Sequence, residues 1–220
     1  MLFRGPILGA YYAKAMEESR NAGRITSVPY DPAVPVWTAW DLGFSDATAI
    51  WFAQVVGREI HVIDYYEASG VALGHYVREL RSRPFVYARH ILPHDAEAKE
   101  LGSGKSRTDT LQSLGLFDTT ILPQHRVEDG INAVRMLLPR CWFDAKKCER
   151  GIEALTLYRA DTDKRFIDPN TKQPLLKAKA VHDWTSHAAD AFRYLAEGID
   201  DKGFYAKFNQ PIVYPKMGIY

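Results

Sequence analysis

The sequence contains few cysteines, almost no net charge and no long apolar run. Cys141 and Cys148 have no histidine or further cysteine nearby at metal-ligand spacing, so we expect reduced thiols in a cytosolic protein. A formal net charge of +1 over 220 residues excludes a general polyanion binder, and any nucleic-acid binding must come from local patches. No apolar stretch approaches the roughly 20 residues of a membrane span. The N-terminus shows no signal-peptide cleavage site.

The sequence also lacks a nucleotide-binding P-loop, although one segment resembles it. The segment ELGSGKSRTDT, residues 100–110, contains the Gly-Lys-Ser of the motif G-x-x-x-x-G-K-[ST]. The early glycine of that motif lets backbone amides curl around the phosphates. It would stand five residues before Gly104, where this chain has Lys99. We therefore predict that the chain neither binds nor hydrolyses ATP.

What is present is an ordinary globular composition, with 46% hydrophobic and 25% charged residues. Residues 7–23 have helical spacing, and three prolines within seven residues follow them. We therefore expect an N-terminal helix and Pro-rich linker over residues 1–35, a main globular domain over 36–200 and a C-terminal tail over 201–220. The length is sufficient to bury a substantial core.

The predicted elements follow a recognisable order. Residues 36–43, 47–57 and 59–68 are apolar, β-branched runs with short connections, which predicts an antiparallel meander. The later predicted elements are helices over 73–83, 106–116, 127–144 and 184–199 and strands over 86–95 and 118–124. This order is that of the ribonuclease H-like fold, an α/β fold with a mixed five-stranded sheet flanked by helices.

Acidic residues stand at positions that this fold would bring together. In it the first and fourth strands are parallel neighbours, so Asp41 and Asp95 should meet at their carboxyl ends. The last helix offers Asp183 and Asp190 as a third carboxylate. Two-metal phosphodiester hydrolysis requires carboxylates crowded around ions about 3.5–4 Å apart. Oxygen ligands suit Mg²⁺ or Mn²⁺.

Three motifs carry a family resemblance. WDLGFSDATAIW, ILPHDAEAKELGSGKSR and HDWTSHAADAFRYL resemble, in this order, the nuclease domain of bacteriophage large terminase subunits, over about residues 36–197. The resemblance implies an endonuclease that cuts concatemeric double-stranded DNA with two divalent metal ions, Mg²⁺ or Mn²⁺, in the cytoplasm of the bacterial host. It also implies the partners of a packaging motor: the terminase ATPase domain, the small terminase subunit and the portal.

The N-terminal segment GAYYAKAMEESRNAGRI resembles the segment that joins the ATPase of this family to its nuclease. No Walker A loop stands in the chain itself. The motor is therefore expected on a longer parent chain or on a separate chain.

The resemblance also implies roles for individual residues. Asp41 matches the ligand on the first strand, Asp95 the ligand on the fourth strand and Asp190, in H-x-x-D-A-x-R-Y, the ligand on the final helix. His187 lies three residues before Asp190 on the same helical face, where it can orient a ligand, contact DNA or assist a proton transfer. Like charges held close together are unfavourable, so replacing one carboxylate by Asn should leave the metal-free fold at least as stable.

Other interpretations stay open for several of these residues. Asp183 can be an N-terminal helix cap rather than a ligand. Asp190 can form a surface ion pair with Arg193. Lys105 and Arg107 can hold phosphates or belong to a solvated loop.

Two alternative functions share some of these features. A Holliday-junction resolvase has the same fold and metals. An actin-like or sugar-kinase ATPase has a phosphate loop similar to DLGFSDAT, but it needs a second D-x-G on a strand of another lobe. The other D-x-G here begins at Asp201, in the predicted tail.

Overall fold

The computed structural model describes residues 7–43, 47–99 and 104–199. Within them, seven strands form one mixed sheet in the order β1-β7-β4-β3-β2-β5-β6. These strands are β1 (Ile25–Thr26), β2 (Val36–Asp41), β3 (Ala47–Val56), β4 (Glu59–Ser69), β5 (Tyr87–Leu92), β6 (Thr119–Ile121) and β7 (Cys141–Asp144). A separate antiparallel hairpin consists of β8 (Ala160–Ile167) and β9 (Pro174–Ala180).

Helices cover both faces of the sheet. They are α1 (Ala13–Asn21), α2 (Leu73–Ser82), α3 (Arg107–Ser113), α4 (Val127–Leu137), α5 (Glu149–Leu157) and α6 (Trp184–Gly198). Short 3-10 helices span His94–Glu97 and Leu138–Arg140. Helices α1, α4, α5 and α6 bury one face of the sheet, and α2 and α3 bury the other. None of the helices in the described ranges is long and apolar enough to cross a membrane.

The predicted sheet arrangement is confirmed and extended. Strands β2, β3 and β4 form the expected antiparallel meander. Strand β2 is parallel to β5, with Ala39 opposite Ile91, as the predicted fold requires. The sheet has seven strands rather than five, because β7 pairs in parallel with β4 and β1 pairs in parallel with β7.

The prediction of one long helix over residues 127–144 is wrong. Helix α4 ends at Leu137, a 3-10 turn follows, and Cys141–Asp144 is strand β7. Pro139 explains the end of the helix, since proline has no amide hydrogen and its ring clashes with the preceding turn of an α-helix. After it, the sequence Cys-Trp-Phe has a strand-like composition, and Phe143 is fully buried.

The N-terminal segment packs against the same sheet. Helix α1 is shorter than predicted, and Met16 and the preceding Tyr12 are almost completely buried. Strand β1 lies within the segment predicted as a linker and pairs with β7, with Ile25 opposite Phe143. The domain boundary near residue 36 stays a prediction. The predicted tail over 201–220 lies outside the described residues.

Two tryptophans show how the strand alternation builds the two cores. Trp40 packs on the α2 side, whereas Trp51 packs on the α6 side and donates a hydrogen bond from Nε1 to the carbonyl of Ala188 at 2.8 Å. Both side chains are fully buried. Because Trp40 points to the α2 side, the alternation places Asp41 on the face that α6 covers. Packing of α6 on β2 therefore positions the candidate site.

The two cysteines lie in the hydrophobic core. Cys141 and Cys148 are both free thiols with no exposed surface. Burial raises the pKa of the Cys148 thiol well above its usual range. These thiols therefore behave as core side chains rather than as reactive groups.

Candidate active site

Asp41 is the last residue of β2 and lies directly against α6. Its side chain is 20% exposed, and its Oδ2 lies 3.0 Å from Nδ1 of His187. An ionised carboxylate can only accept a hydrogen bond, so Nδ1 of His187 carries a hydrogen and donates this hydrogen bond to Asp41. Burial raises the pKa of Asp41; the hydrogen bond from His187 opposes this rise, and the charges of Asp190 and Asp95 add to it. His187 is thus a direct partner of Asp41.

Asp95 lies three residues beyond the end of β5, in the 3-10 helix His94–Glu97, rather than at the end of the strand as predicted. Its side chain is half exposed. Arg107, the first residue of α3, places Nη1 3.2 Å from Oδ2 of Asp95 and 3.1 Å from the carbonyl oxygen of Leu42. This arginine connects the chain segments that follow β2 and β5. Arg107 was expected either to hold phosphates or to lie in a solvated loop. Its contacts with Asp95 and Leu42 show that it is not simply a solvated side chain.

Two residues that flank the Gly-rich stretch of the segment resembling a P-loop pair with each other. Lys99 and Ser106 form an antiparallel bridge across its base, and residues 100–103 between them lie outside the described residues. Ser106 accepts a hydrogen bond from the amide of Asp109, and the Asp109 carboxylate accepts one from the amide of Ser106. This capping box fixes the start of α3 and so the position of Arg107.

Asp190 has an arginine partner on its own helix. Nε and Nη2 of Arg193 both donate to Oδ1 of Asp190, at 3.2 and 2.8 Å. The ion pair was expected at the surface, but Arg193 is only 9% exposed. Neither of these hydrogen bonds involves Oδ2 of Asp190.

Asp183 is the N-cap of α6, as the alternative interpretation predicts. Its Oδ1 accepts hydrogen bonds from the amide and the hydroxyl of Thr185 at 2.9 and 2.6 Å, and Arg159 forms an ion pair with it at 3.1 Å. Although burial acts to raise the pKa of Asp183, the hydrogen bonds from Thr185 and the charge of Arg159 hold it below the usual value. This arrangement favours Asp190 over Asp183 as the third acidic site residue.

The structure brings Asp41, Asp95 and Asp190 close enough to interact electrostatically. All three also act on Tyr194, whose pKa burial and these charges raise to about 12 despite the opposing charge of Arg193. Within residues 7–43, 47–99 and 104–199, no set of three or more His, Cys, Asp or Glu side chains has the spacing of a metal site. Asp95 and Asp190 each bind an arginine instead.

The chemistry of the three carboxylates nevertheless fits a divalent cation. Their oxygens are the hard ligands that Mg²⁺ and Mn²⁺ prefer. In each carboxylate the partner described above uses a single oxygen: Oδ2 of Asp41, Oδ2 of Asp95 and Oδ1 of Asp190. The repulsion that raises the pKa of Asp41 is relieved by any positive charge between the carboxylates. These residues therefore suit a cation site.

A cleft of about 390 Å³ opens beside His187. Glu67 of β4 forms part of its wall, accepting hydrogen bonds from Tyr65 and from Arg150. The guanidinium of Arg150 lies 3.6 Å from the ring centroid of Trp184, the first residue of α6. This chain of contacts connects β4 to the start of the helix that holds His187. We did not predict it, because Glu67 and Arg150 are 83 positions apart in sequence and no local pattern connects them.

Solved structures of bacteriophage large terminases and of their nuclease domains share the fold of this chain. No protein-family profile and no curated protein sequence matches the chain. The large terminase of a thermophilic bacteriophage superimposes with a TM-score of 0.62 at 16% identity, over 87% of this chain and 45% of that protein. The chain thus spans less than half of that terminase.

Isolated nuclease domains match over most of their own length. The large terminase nuclease of thermophilic phage G20c, solved with bound magnesium and with bound cobalt, has a TM-score of 0.58 at 12% identity, over 87% of this chain and 98% of that one. The P22 large terminase nuclease domain has a TM-score of 0.55 at 21% identity, over 78% and 86%. The chain therefore has the fold of phage large terminase nuclease domains, and the predicted resemblance is confirmed for the fold.

Proposed function

We propose that this chain is a metal-dependent DNA endonuclease, the nuclease component of a phage genome-packaging terminase. One observation carries the proposal. Three carboxylates from β2, from the turn after β5 and from α6 interact at one edge of a sheet that has the large terminase nuclease fold. Three carboxylates that act on one another at one edge of the sheet repel phosphate unless a cation lies between them, so the arrangement suits metal-assisted phosphodiester hydrolysis.

Asp41, Asp95 and Asp190 would hold the divalent ions, two Mg²⁺ or Mn²⁺. Bound there, such ions supply an activated water and neutralise charge on the leaving oxygen. The protein's own contribution is to fix the three carboxylates. Arg107 holds Asp95 near the end of β2, and His187 holds Asp41 through Nδ1.

His187 has a second role in this proposal. Its Nδ1 faces Asp41, and its ring lines the cleft beside the site. A histidine oriented by a carboxylate can accept or release a proton at its other ring nitrogen, Nε2. We assign to His187 the positioning of Asp41 and a proton transfer at Nε2.

The proposed substrate is double-stranded DNA, cut with little sequence preference. Contacts to the phosphate backbone carry no sequence information. In a terminase the nuclease would act on concatemeric DNA together with the ATPase motor, the small subunit and the portal. The chain superimposes on 45% of a large terminase over 87% of its own length, and we propose that the motor is supplied by a longer parent chain or by a separate one.

The test is incubation of supercoiled plasmid with the chain in Mn²⁺, in Mg²⁺ or in a chelator. We expect nicked and linear products with a metal ion and intact plasmid with the chelator. Plasmid that survives high protein concentrations with Mn²⁺ would refute the nuclease proposal. A four-way DNA junction included in the same assay distinguishes the alternative, since a resolvase would cleave the junction in preference to the linear duplex.

A further inference from the structure

Arg193 is held between two helices in a way that fixes the side chain of Asp190. It lies one turn after Asp190 on α6, and two of its nitrogens donate to the same carboxylate oxygen, Oδ1. Two guanidinium nitrogens that donate to one oxygen fix the position of that oxygen more strictly than a single donor does. Because Arg193 is only 9% exposed, it is also restrained by the packing around it.

The space for Arg193 depends on a glycine in the neighbouring helix. Gly130 is a buried residue of α4. A Cβ atom at this position would lie 3.1 Å from Cδ and 3.3 Å from Nη1 of Arg193, and 2.7 Å from Oε1 of Glu197. Glycine is among the poorest helix formers, and here its lack of a side chain allows Arg193 to pass between α4 and α6.

We propose that Arg193 is the positioning residue that presents Asp190 to the divalent cation, an inference that rests on the proposed nuclease function. Both Arg193 nitrogens donate to Oδ1 of Asp190, so Oδ2 is the oxygen that would bind the cation. Groups that hydrogen-bond a metal-ligating carboxylate fix its orientation, and their loss typically weakens metal binding about 10–100-fold. Arg193 is confined against α4, so it stays in place when the cation binds.

The opposite role makes the opposite prediction. If Arg193 only competed with the cation for Asp190, loss of its two hydrogen bonds would free the carboxylate and tighten metal binding. Two variants alter the geometry by different routes. Arg193→Lys keeps the charge but loses the two-nitrogen contact. Gly130→Ala keeps both charged residues and pushes the arginine aside.

The experiment measures Mn²⁺ affinity by titration calorimetry, with melting curves in chelator to confirm folding. Gly74→Ala in α2 is the matched control, because its added Cβ would meet its nearest neighbour at an ordinary 3.8 Å. We expect Mn²⁺ affinity to fall about 10–100-fold in Arg193→Lys, to fall less in Gly130→Ala and to stay unchanged in Gly74→Ala. DNA affinity in chelator should be the same in all four proteins.

Unchanged or tighter Mn²⁺ binding in folded Arg193→Lys overturns the assignment. If that variant does not fold, unchanged or tighter binding in Gly130→Ala overturns it. A wild-type chain that binds no Mn²⁺ overturns the proposed function together with this inference, whereas wild-type binding with equal binding in the variants overturns the inference alone.

Discussion

The three acidic residues of the site have different partners, and these partners decide what happens when each charge is removed. Asp41 is partly buried beside a histidine and two other carboxylates, and burial together with those carboxylates raises its pKa. Asp190 neutralises a buried arginine. Replacement by Asn should therefore have opposite effects at these two positions.

In chelator, we expect Asp41→Asn to be as stable as the wild type or more stable. Partial burial and the neighbouring carboxylates make the ionised form of Asp41 unfavourable, and an uncharged amide at this position avoids that free-energy penalty. Asp190→Asn should instead lose about 1–3 kcal/mol, because Arg193 keeps its charge in a buried place with a weaker acceptor. This expectation replaces the sequence-based one, which treated the three carboxylates alike.

Chemical denaturation in chelator measures both changes. Asp183→Asn serves as the comparison: Asn is as good an N-cap as Asp, and the partly exposed ion pair with Arg159 that it loses is worth at most about 1 kcal/mol. Equal destabilisation of Asp41→Asn and Asp190→Asn would contradict the different roles assigned to the two carboxylates.

His90 gives a pH dependence that is independent of the acidic site. It is buried in β5 with Nδ1 2.7 Å from Oγ1 of Thr38, and burial lowers its pKa to about 4. In the unfolded chain the imidazole titrates near pH 6.5. Below that pH the unfolded state binds a proton that the folded state does not, so the free energy of unfolding falls as the pH falls toward 4.

We expect the wild type to lose about 1–2 kcal/mol between pH 6.5 and 5 relative to His90→Gln. Glutamine retains a hydrogen-bonding group for Thr38 but does not titrate. Denaturant unfolding of both proteins across this pH range provides the measurement. Parallel pH profiles for the two proteins would show that His90 does not contribute in this way.

At the scale of single residues, sequence patterns predicted what depends on local spacing. The position of Asp183 before a helical run favoured the cap, and the spacing of Asp190 and Arg193 offered their ion pair as the alternative to a metal-ligand role for Asp190. The burial of Arg193 was not predictable, because it depends on Gly130, which lies on another helix. Likewise the contact of Arg107 with Leu42 joins residues 65 positions apart.

At the scale of elements, helix packing on the sheet depends on a second glycine. A Cβ at Gly151 of α5 would lie 2.2 Å from Cη2 of Trp51, whose ring is fully buried. An added methyl group would therefore force the ring or the helix to shift. We expect Gly151→Ala to cost about 1–3 kcal/mol, the usual range for overpacking a core.

The comparison with Gly74→Ala isolates this steric effect. Alanine favours the helix over glycine at both positions, and Gly74 has room for the added methyl group. Gly74→Ala should therefore be neutral or slightly stabilising in thermal melts. A Gly151→Ala protein as stable as the wild type would contradict the packing of α5 on Trp51.

The predicted helix over residues 127–144 shows where element prediction failed. Apolar spacing continues through Leu137 and Leu138 into the Cys-Trp-Phe segment, so periodicity alone does not separate helix from strand. Pro139 was the available signal for the boundary. Strand β1 has only two residues, too few to show any period, and it forms only because β7 offers a parallel edge.

At the scale of the whole molecule, connectivity made the central sheet predictable. A meander followed by alternating strands and helices leaves few arrangements, and the parallel pairing of β2 with β5 follows from it. That pairing brings Asp41 near Asp95, and the last helix then adds Asp190. The additional strands β1 and β7 form through contacts between distant parts of the chain, which no local pattern contains.

We propose that Asp41, Asp95 and Asp190 bind the metal ions on which DNA cleavage depends. The most direct measurement compares plasmid cleavage in Mn²⁺ by the wild type, Asp41→Asn, Asp95→Asn, Asp190→Asn and Asp183→Asn, together with the shift of melting temperature on adding Mn²⁺. We predict that the wild type and Asp183→Asn cleave and are stabilised by the ion, since binding to the native state supplies that stabilisation. The other three variants should be folded, inactive and insensitive to Mn²⁺. A fully active Asp41→Asn or Asp95→Asn protein, or an inactive Asp183→Asn beside an active Asp190→Asn, would contradict the account.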